Sequence, residues 1–198
     1  AELIENGFQP WLRGRSVQRV LDLCTGGGSI AVAMAVHRPD WQVDALDLSA
    51  DALALAAENV ALHGLQGRLR LLQSELFAAL SDEVYELLVS TPPYITEDEY
   101  AAMPGEYRHE PKLGLTSGFD GCDACLRILR DAPRHLSADG LLIVEVGEAE
   151  RALKRLLPEL PLVWIEFSVG QMGIFAIEAR NLRAHRDAVE RLCRARGL

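Results

Sequence analysis

Three consecutive glycines, Gly26, Gly27 and Gly28, stand between a short apolar run and an apolar helical stretch. Glycine lets a backbone turn tightly and approach a ligand closely, and the start of the following helix offers free N–H groups. Gly26-x-Gly28-x-x-Ala31 also has the spacing of dinucleotide-binding turns. The pattern predicts either a nucleotide-like ligand or simply a tight connection between a strand and a helix.

Two aspartates extend this candidate site. Asp47 stands nineteen residues after Gly28, at the end of a second apolar run, where a carboxylate can accept hydrogen bonds from both ribose hydroxyls. Together these features predict an adenosine-containing ligand, either a nicotinamide cofactor or S-adenosylmethionine. Asp22, just before the glycines, would repel a pyrophosphate and suits a ligand with a sulfonium and an amino group. The alternative is that Asp22 only caps the local backbone.

Two further runs end in residues of suggestive chemistry. Glu75 and Leu76 follow the third run and are placed to flank an adenine, with a polar edge on one side and an apolar face on the other. The fourth run ends at residues 91–94, which are Thr91, Pro92, Pro93 and Tyr94. Because proline has no N–H and a fixed φ, the strand must stop at Pro92. The residues that follow form a stiff, donor-free turn capped by an aromatic ring.

Strand and helix patterns alternate along the chain and position these residues. Strands are predicted over residues 19–24, 42–49, 68–74, 85–90 and 140–147, with helices between them, and an antiparallel pair over 162–168 and 173–179. Ser49 is the predicted N-cap of the helix that follows it. The alternation predicts an α/β fold, a Rossmann-like, doubly wound sheet of seven mostly parallel strands with the last strand antiparallel. Ligands bind such sheets outside the carboxyl ends of the strands.

Composition and charge narrow the class of partner. The 198 residues are 49% hydrophobic and 25% charged, as in an ordinary globular domain. Residues 180–198 hold six arginines against two acids, a charge of +4, so the rest carries −13 of the overall −9. Such an acidic body suits a basic protein better than a phosphate backbone, unless it is only a solvated surface. No apolar run approaches the roughly 18 residues that span a bilayer, which predicts no membrane partner and a cytoplasmic location.

Four cysteines do not form a metal pattern. Cys122 and Cys125 have the spacing of a metal or redox pair, but no second pair or histidine follows at the distances that zinc sites use. Two helical residues one turn apart is the favoured interpretation. With Cys24 and Cys193 they are expected to be reduced thiols.

The motifs together resemble a known family. LDLCTGGG, Asp47, SELF and especially PPY at the fourth strand end are similar to class I S-adenosylmethionine-dependent methyltransferases with an NPPY motif, which methylate a planar amide or amine nitrogen. The stretch MPGEYRHEPKLGLTSGFDG resembles the protein-glutamine methyltransferases. EYRHEP is close to the branch that modifies a glutamine of large-subunit ribosomal protein three, rather than the release-factor branch. His109 and Glu110 within it are expected to order a loop or to contact the substrate protein.

The resemblance implies a cofactor, a substrate and a set of residues. The cofactor is S-adenosylmethionine, released as S-adenosylhomocysteine, with no metal, and the partner is a basic ribosomal protein, with no direct nucleic-acid substrate favoured. The expected cofactor-binding residues are Asp22, Cys24, Thr25, Gly26, Gly27, Gly28, Asp47, Leu48, Glu75, Leu76 and Thr91. The expected catalytic residues are Thr91, Pro92, Pro93 and Tyr94. In the family an Asn side chain and the carbonyl of the first proline hold the amide NH₂ group, and the tyrosine gives a flat wall.

This chain departs from that pattern at Thr91, where the family has Asn. A hydroxyl accepts a hydrogen bond but lacks the reach and flat geometry of an amide. The alternatives are therefore a release-factor glutamine or nucleic-acid amino-group methyltransferase, or a catalytically weakened cofactor-binding module. Residues 1–180 are expected to form the catalytic domain and 181–198 a basic, helical tail. The N-terminal helical substrate-recognition domain of the family is expected to be absent.

Overall fold

The computed structural model describes residues 2–103, 114–167 and 173–198. His109 and Glu110, with most of the surrounding motif, lie outside the described residues. The strands are β1 Arg19–Leu23, β2 Gln42–Asp47, β3 Leu69–Gln73, β4 Tyr85–Ser90, β5 Leu136–Glu145, β6 Val163–Trp164 and β7 Ile174–Glu178. The helices are α1 Glu2–Glu5, α2 Ser29–His37, α3 Ala50–Leu62, α4 Glu97–Ala102, α5 Asp123–Asp131, α6 Glu150–Leu156, α7 Ala179–Ala184 and α8 Arg186–Arg196.

The seven strands form one sheet in the order β3-β2-β1-β4-β5-β7-β6. β1 pairs in parallel with β2 and β4, β2 pairs in parallel with β3, and β6 pairs antiparallel with β7. The mostly parallel sheet with helical connections confirms the predicted fold class. The register sets Leu23 beside both Leu46 and Ser90, so the carboxyl ends of β1, β2 and β4 lie level with one another.

Three element boundaries differ from prediction. β2 ends at Asp47 because Ser49 leaves the strand to cap α3, its side chain accepting the N–H of Ala52 at 3.2 Å. β5 begins at Leu136 rather than residue 140, where the backbone is already alongside β4: the N–H of Tyr85 donates to the His135 carbonyl at 2.9 Å. β6 is shorter than the predicted 162–168, although Ser168 lies outside the described residues.

Helix α5 ends at Asp131 and a turn of 3-10 helix, Ala132–Arg134, follows it. Pro133 lies within this turn, and proline cannot continue an α-helix because it lacks the N–H and its ring clashes with the preceding turn. The break therefore occurs at the proline, as the sequence predicts.

The described residues form two compact units. The first comprises Ala1–Ser90 with Arg134–Leu142, and the second comprises Thr91–Pro133 with Ile143–Leu198. In the first, the core consists of fully buried strand side chains such as Leu21, Leu46 and Leu88. Burial of each such leucine stabilises the fold by about 1.5–3 kcal/mol before its ordering entropy is counted.

A buried carboxylate ties the strands of the first unit together. Asp44 in β2 accepts hydrogen bonds from Arg70 at 2.8 Å, from Arg19 at 3.1 Å and from the Tyr85 hydroxyl at 2.7 Å. Burial by itself would raise the pKa of Asp44, but the hydrogen bonds from Arg70 and Tyr85 outweigh it and the pKa is lowered. These partners come from β1, β3 and β4, so one side chain braces four strands.

The core of the second unit is formed by α5, β7 and the two C-terminal helices. Leu126, Ile128, Phe175 and Leu182 are fully buried there. Cys193 of α8 packs on α5, its thiol 3.5 Å from the carbonyl oxygen of Leu126. Among the residues that the structure describes, no helix combines the length and apolar character needed to cross a membrane.

Candidate active site

In the first unit, the glycine turn joins the end of β1 to α2. The N–H of Thr25 donates to the Leu46 carbonyl at 2.9 Å, which fixes the turn against the neighbouring strand β2. Cys24 has φ 61, a left-handed conformation that costs a residue with a side chain about 1–3 kcal/mol. A side chain at Gly26 would meet no atom within 4 Å. The turn is thus a strained, open cradle in which a ligand can approach the backbone.

Asp22 lies buried beneath this turn. Its Oδ2 accepts the Thr25 hydroxyl at 2.6 Å and the N–H of Ala31 at 3.0 Å, so the carboxylate does cap the local backbone. Its other oxygen, Oδ1, is buried and has no hydrogen-bond partner among the described residues. Burial raises the pKa of Asp22 to about 7, against the lowering effect of those two hydrogen bonds and with a smaller raising effect from Asp47. The capping interpretation is correct and leaves one acceptor for a ligand.

Asp47 sits at the carboxyl end of β2 and reaches the glycine turn. Its Oδ2 accepts the N–H of Gly26 at 2.8 Å and its Oδ1 accepts the N–H of Ser49 at 2.8 Å. A carboxylate oxygen carries two lone pairs, so each still has acceptor capacity for a ribose hydroxyl. Asp47 therefore shapes the cradle, and ribose binding stays a prediction.

Glu75 and Leu76 are held next to Asp47 by Ser74. The N–H of Ser74 donates to the Asp47 carbonyl at 2.8 Å, and its hydroxyl donates to the Leu76 carbonyl at 2.6 Å. Leu76 adopts φ 48, a second non-glycine residue in a left-handed conformation. Leu48, directly after Asp47, is 42% exposed. The first unit thus brings together every residue that was predicted for the cofactor except Thr91.

In the second unit, residues 91–94 follow the last residue of β4 along the chain. Pro92 is buried, whereas Thr91, Pro93 and Tyr94 are half-buried. The hydroxyl of Thr91 makes no hydrogen bond with any residue that the structure describes. In contrast, the hydroxyl of Ser90, one residue earlier, donates to the Leu23 carbonyl at 2.7 Å. The segment changes at Thr91 from paired strand to a turn whose side chains are available to a substrate.

Two glycines of the second unit pack directly on Tyr94. A Cβ at Gly121 would collide with the carbonyl oxygen of Tyr94, and Gly121 also has φ 75, so only glycine suits the position. A Cβ at Gly147 would come within 2.6 Å of the Tyr94 ring. Gly147 in turn packs against Gly173, whose carbonyl accepts the N–H of Val146 at 2.7 Å. The backbone and ring of Tyr94 are therefore both held by close contact with glycine backbone.

These supporting glycines were not predicted as site residues. Gly147 follows the end of β5, and the rule that ligands bind at the carboxyl ends of strands pointed to it. Gly121 belongs to the Asp-Gly pair of the quoted motif, but its contact joins positions far apart in sequence. Only the three-dimensional structure could reveal that contact.

Three of the four cysteines lie in the second unit, and none is suited to react. Cys122 precedes α5 and Cys125 lies in its first turn. Burial raises the pKa of Cys122 to about 12 and that of Cys125 well above its ordinary value. These thiols are protonated and serve as packing groups. Among the described residues, no three metal-ligating side chains come together.

Comparison with known proteins places the chain in a family. Residues 8–104 match the model of the Methyltransferase small domain. The ribosomal protein uL3 glutamine methyltransferase of Xanthomonas campestris pv. campestris is 58% identical over 197 residues, which are 99% of this chain and 63% of that protein. The protein of the same name from Xylella fastidiosa (strain 9a5c) is 53% identical over 196 residues, 99% of this chain and 62% of that protein. The chain thus spans less than two thirds of the length of these curated relatives.

Solved structures share the fold. A ribosomal protein L11 methylase from Lactobacillus delbrueckii subsp. bulgaricus superimposes with a TM-score of 0.62 at 18% identity, over 89% of this chain and 76% of that one. A methyltransferase from Pyrococcus furiosus gives 0.60 at 18% identity, over 85% and 79%. Sheet order and glycine turn define a class I methyltransferase fold. The chain belongs, by its sequence, to the protein-glutamine methyltransferase family.

Proposed function

We propose that this domain transfers a methyl group from S-adenosylmethionine to the side-chain amide nitrogen of a glutamine in ribosomal protein uL3. The observation that carries the proposal is the 58% identity, over 99% of the chain, to a protein named for that activity. The family resemblance of the motifs is thereby confirmed, and the activity of the whole protein is what we infer from it.

The cradle of the first unit fits the cofactor. Glycine backbone at Gly26 leaves open space for close approach, and Asp47 retains acceptor capacity for a ribose. Asp22 Oδ1 is a buried acceptor without a partner, which suits a cationic group of the ligand. When bound, S-adenosylmethionine supplies a methyl group activated by its sulfonium. The residues of this chain bind it, orient it and exclude water from it.

Residues 91–94 suit an amide acceptor. The lone pair of an amide nitrogen is delocalised into the carbonyl, so the enzyme must orient the NH₂ group and reduce that delocalisation rather than supply a strong base. We infer that the Thr91 hydroxyl and the Pro92 carbonyl accept the two N–H bonds. The ring of Tyr94, fixed by Gly147, then gives a flat wall for the amide plane.

The test is a comparison of acceptors. The protein is incubated with S-adenosylmethionine labelled on the methyl group and, separately, with ribosomal protein uL3, a release factor and duplex DNA. We expect label on a glutamine of uL3, located by peptide mass spectrometry. Preferential labelling of the release factor or of DNA would contradict the proposal and favour that other substrate class.

A second candidate is a cofactor-binding module with weakened transfer, and Thr91 favours it. Where the family has an amide side chain, this chain has a hydroxyl that engages no described residue. Calorimetry would then show tight binding of S-adenosylmethionine by a protein that labels uL3 only after Thr91→Asn. Efficient labelling by the unaltered protein would eliminate this candidate.

A further inference from the structure

The C-terminal helix α8 ends in a two-pronged ion pair. Arg196 donates from Nη1 and Nη2 to the two carboxylate oxygens of Asp120, at 2.9 and 2.6 Å. Nη1 also donates to Asp123 at 3.0 Å. Both partners are largely shielded, with side-chain exposures of 22% for Arg196 and 21% for Asp120. Fork-shaped, partly buried pairs of this kind constrain geometry far more than exposed lysine or arginine pairs.

Asp120 belongs to the 116–122 loop, which we define as residues 116–122. The loop begins beside the substrate turn: the N–H of Ile95 donates to the Leu115 carbonyl and the N–H of Ser117 donates to the Ile95 carbonyl, both at 2.9 Å. Ser117 then accepts the N–H of Ala124 at 2.7 Å, which fixes the start of α5. Near its end, Gly121 presses on the carbonyl oxygen of Tyr94.

Arg196 therefore holds the residue that precedes the Tyr94 support. Asp120 is adjacent to Gly121 in the chain, so movement of Asp120 displaces Gly121 by a comparable distance. The hydrogen bond from Arg196 lowers the pKa of Asp120, so the pair stays charged on both sides near neutral pH. No other cation bonded to Asp120 is seen in the described part of the chain.

We propose that Arg196 is a positioning residue for the acceptor: through Asp120 it fixes the 116–122 loop, and through Gly121 it fixes the backbone of Tyr94. The proposal rests on the proposed function, since Tyr94 is taken as the wall for the glutamine amide. It gives the arginine-rich C-terminal helix a role in methyl transfer, although Arg196 itself touches neither cofactor nor substrate.

The chain offers a matched control for the test. Arg194 lies on the same helix and pairs with Glu190, an exposed pair within α8 that leaves the loop alone. The variants are therefore Arg196→Gln, Arg196→Lys and Arg194→Gln, with Asp120→Asn as a second way to break the clamp if Arg196→Gln folds poorly. Each is measured for hydrogen exchange of the Ile95 and Ser117 amides, for cofactor affinity and for kcat and KM with uL3.

We expect Arg196→Gln and Asp120→Asn to lower kcat about ten- to hundredfold, because small displacements of positioning groups cost this much. Cofactor affinity stays unchanged, and exchange at Ile95 and Ser117 becomes faster. Arg196→Lys restores part of the loss, because an ammonium keeps the charge but not the fork. Combining Asp120→Asn with Arg196→Gln adds little to either loss.

Unchanged exchange and kcat in Arg196→Gln would overturn the proposal, as would an equal loss in Arg194→Gln. A loss explained wholly by a lower fraction of folded protein would show a structural role only and would also overturn it. If the unaltered protein labels no uL3, the proposed function fails. The exchange measurement then still decides whether Arg196 fixes the loop.

Discussion

Asp22 is the residue whose environment most directly predicts a measurable property. It is buried, its Oδ1 has no described partner, and burial raises its pKa to about 7. A cationic ligand favours the ionised form, so binding of S-adenosylmethionine should release a proton near pH 6. We expect cofactor affinity to rise up to about tenfold per pH unit below pH 7 and then level off, as measured by calorimetry.

The control is Asp22→Asn, which keeps an acceptor for Thr25 and Ala31 but cannot ionise. Its cofactor affinity should be weaker and flat over the same pH range; an equally steep dependence would assign the titration elsewhere. Without ligand the sign is opposite. The stability linked to protonated Asp22 is present below its unfolded pKa of about 3.9 and is lost as the pH rises through the folded value of about 7.

Thr91 permits a gain-of-function prediction. Removal of one oriented donor or acceptor from a preorganised site costs about 2–4 kcal/mol of transition-state stabilisation. We therefore expect Thr91→Asn to raise kcat with uL3 by about tenfold or more, with little change in cofactor affinity, since an amide oxygen reaches further and lies in a plane.

The matched variant is Thr91→Val, which keeps the branched shape and removes the hydroxyl. Its kcat should fall below that of the unaltered protein if the hydroxyl accepts an amide N–H. A lower kcat for Thr91→Asn, or an unchanged one for Thr91→Val, would show that Thr91 does not contact the acceptor.

At the scale of elements, Asp44 links four strands of the first unit, and its loss should be felt by all of them. Asp44→Asn keeps the shape but leaves Arg70 and Arg19 without their counter-charge. Because both arginines are more than a third exposed, the cost should be about 1–2 kcal/mol of unfolding free energy rather than the larger cost of a fully buried pair. Urea titrations measure it.

The pH dependence of that loss follows from the lowered pKa. The stability that ionised Asp44 contributes is present above its unfolded pKa of about 3.9 and is lost as the pH falls through the folded value. The difference between protein and variant should therefore shrink in acid. Tyr85→Phe, which removes one hydrogen bond, should cost only about 1 kcal/mol, and a larger cost than Asp44→Asn would refute the central place of the carboxylate.

Elements were predictable from sequence where local rules fix them. Ser49 caps α3 and Pro133 ends α5 as expected, because capping and the missing proline N–H act within a few residues. The start of β5 was missed because Ser137 and Gly140 indicate a turn, whereas pairing with β4 decides the conformation. The residues after β1, β2 and β3 were found by their type, whereas Gly121 and Arg196 depend on contacts between distant parts of the chain.

At the scale of the whole molecule, charge is the property that the sequence predicts most simply. The chain carries −9, and the arginines near its C-terminus are largely engaged within the protein. Arg186 and Arg194 pair with Glu190, and Arg196 pairs with Asp120. The C-terminal helix is therefore not a free basic surface for a phosphate backbone, and the excess of acidic groups remains available to attract a basic protein.

This argument predicts that salt weakens recognition of the substrate. Raising the ionic strength from about 0.01 to 0.1 M shortens the screening length from about 30 to about 10 Å, so attraction between an acidic enzyme and a basic ribosomal protein decreases. We expect kcat/KM for uL3 to fall about tenfold over this range, mainly through association, while kcat at saturation changes little. Duplex DNA added at low salt should not compete. A rate that rises with salt, or strong inhibition by DNA, would show that acidic groups do not guide the substrate and that a basic surface does.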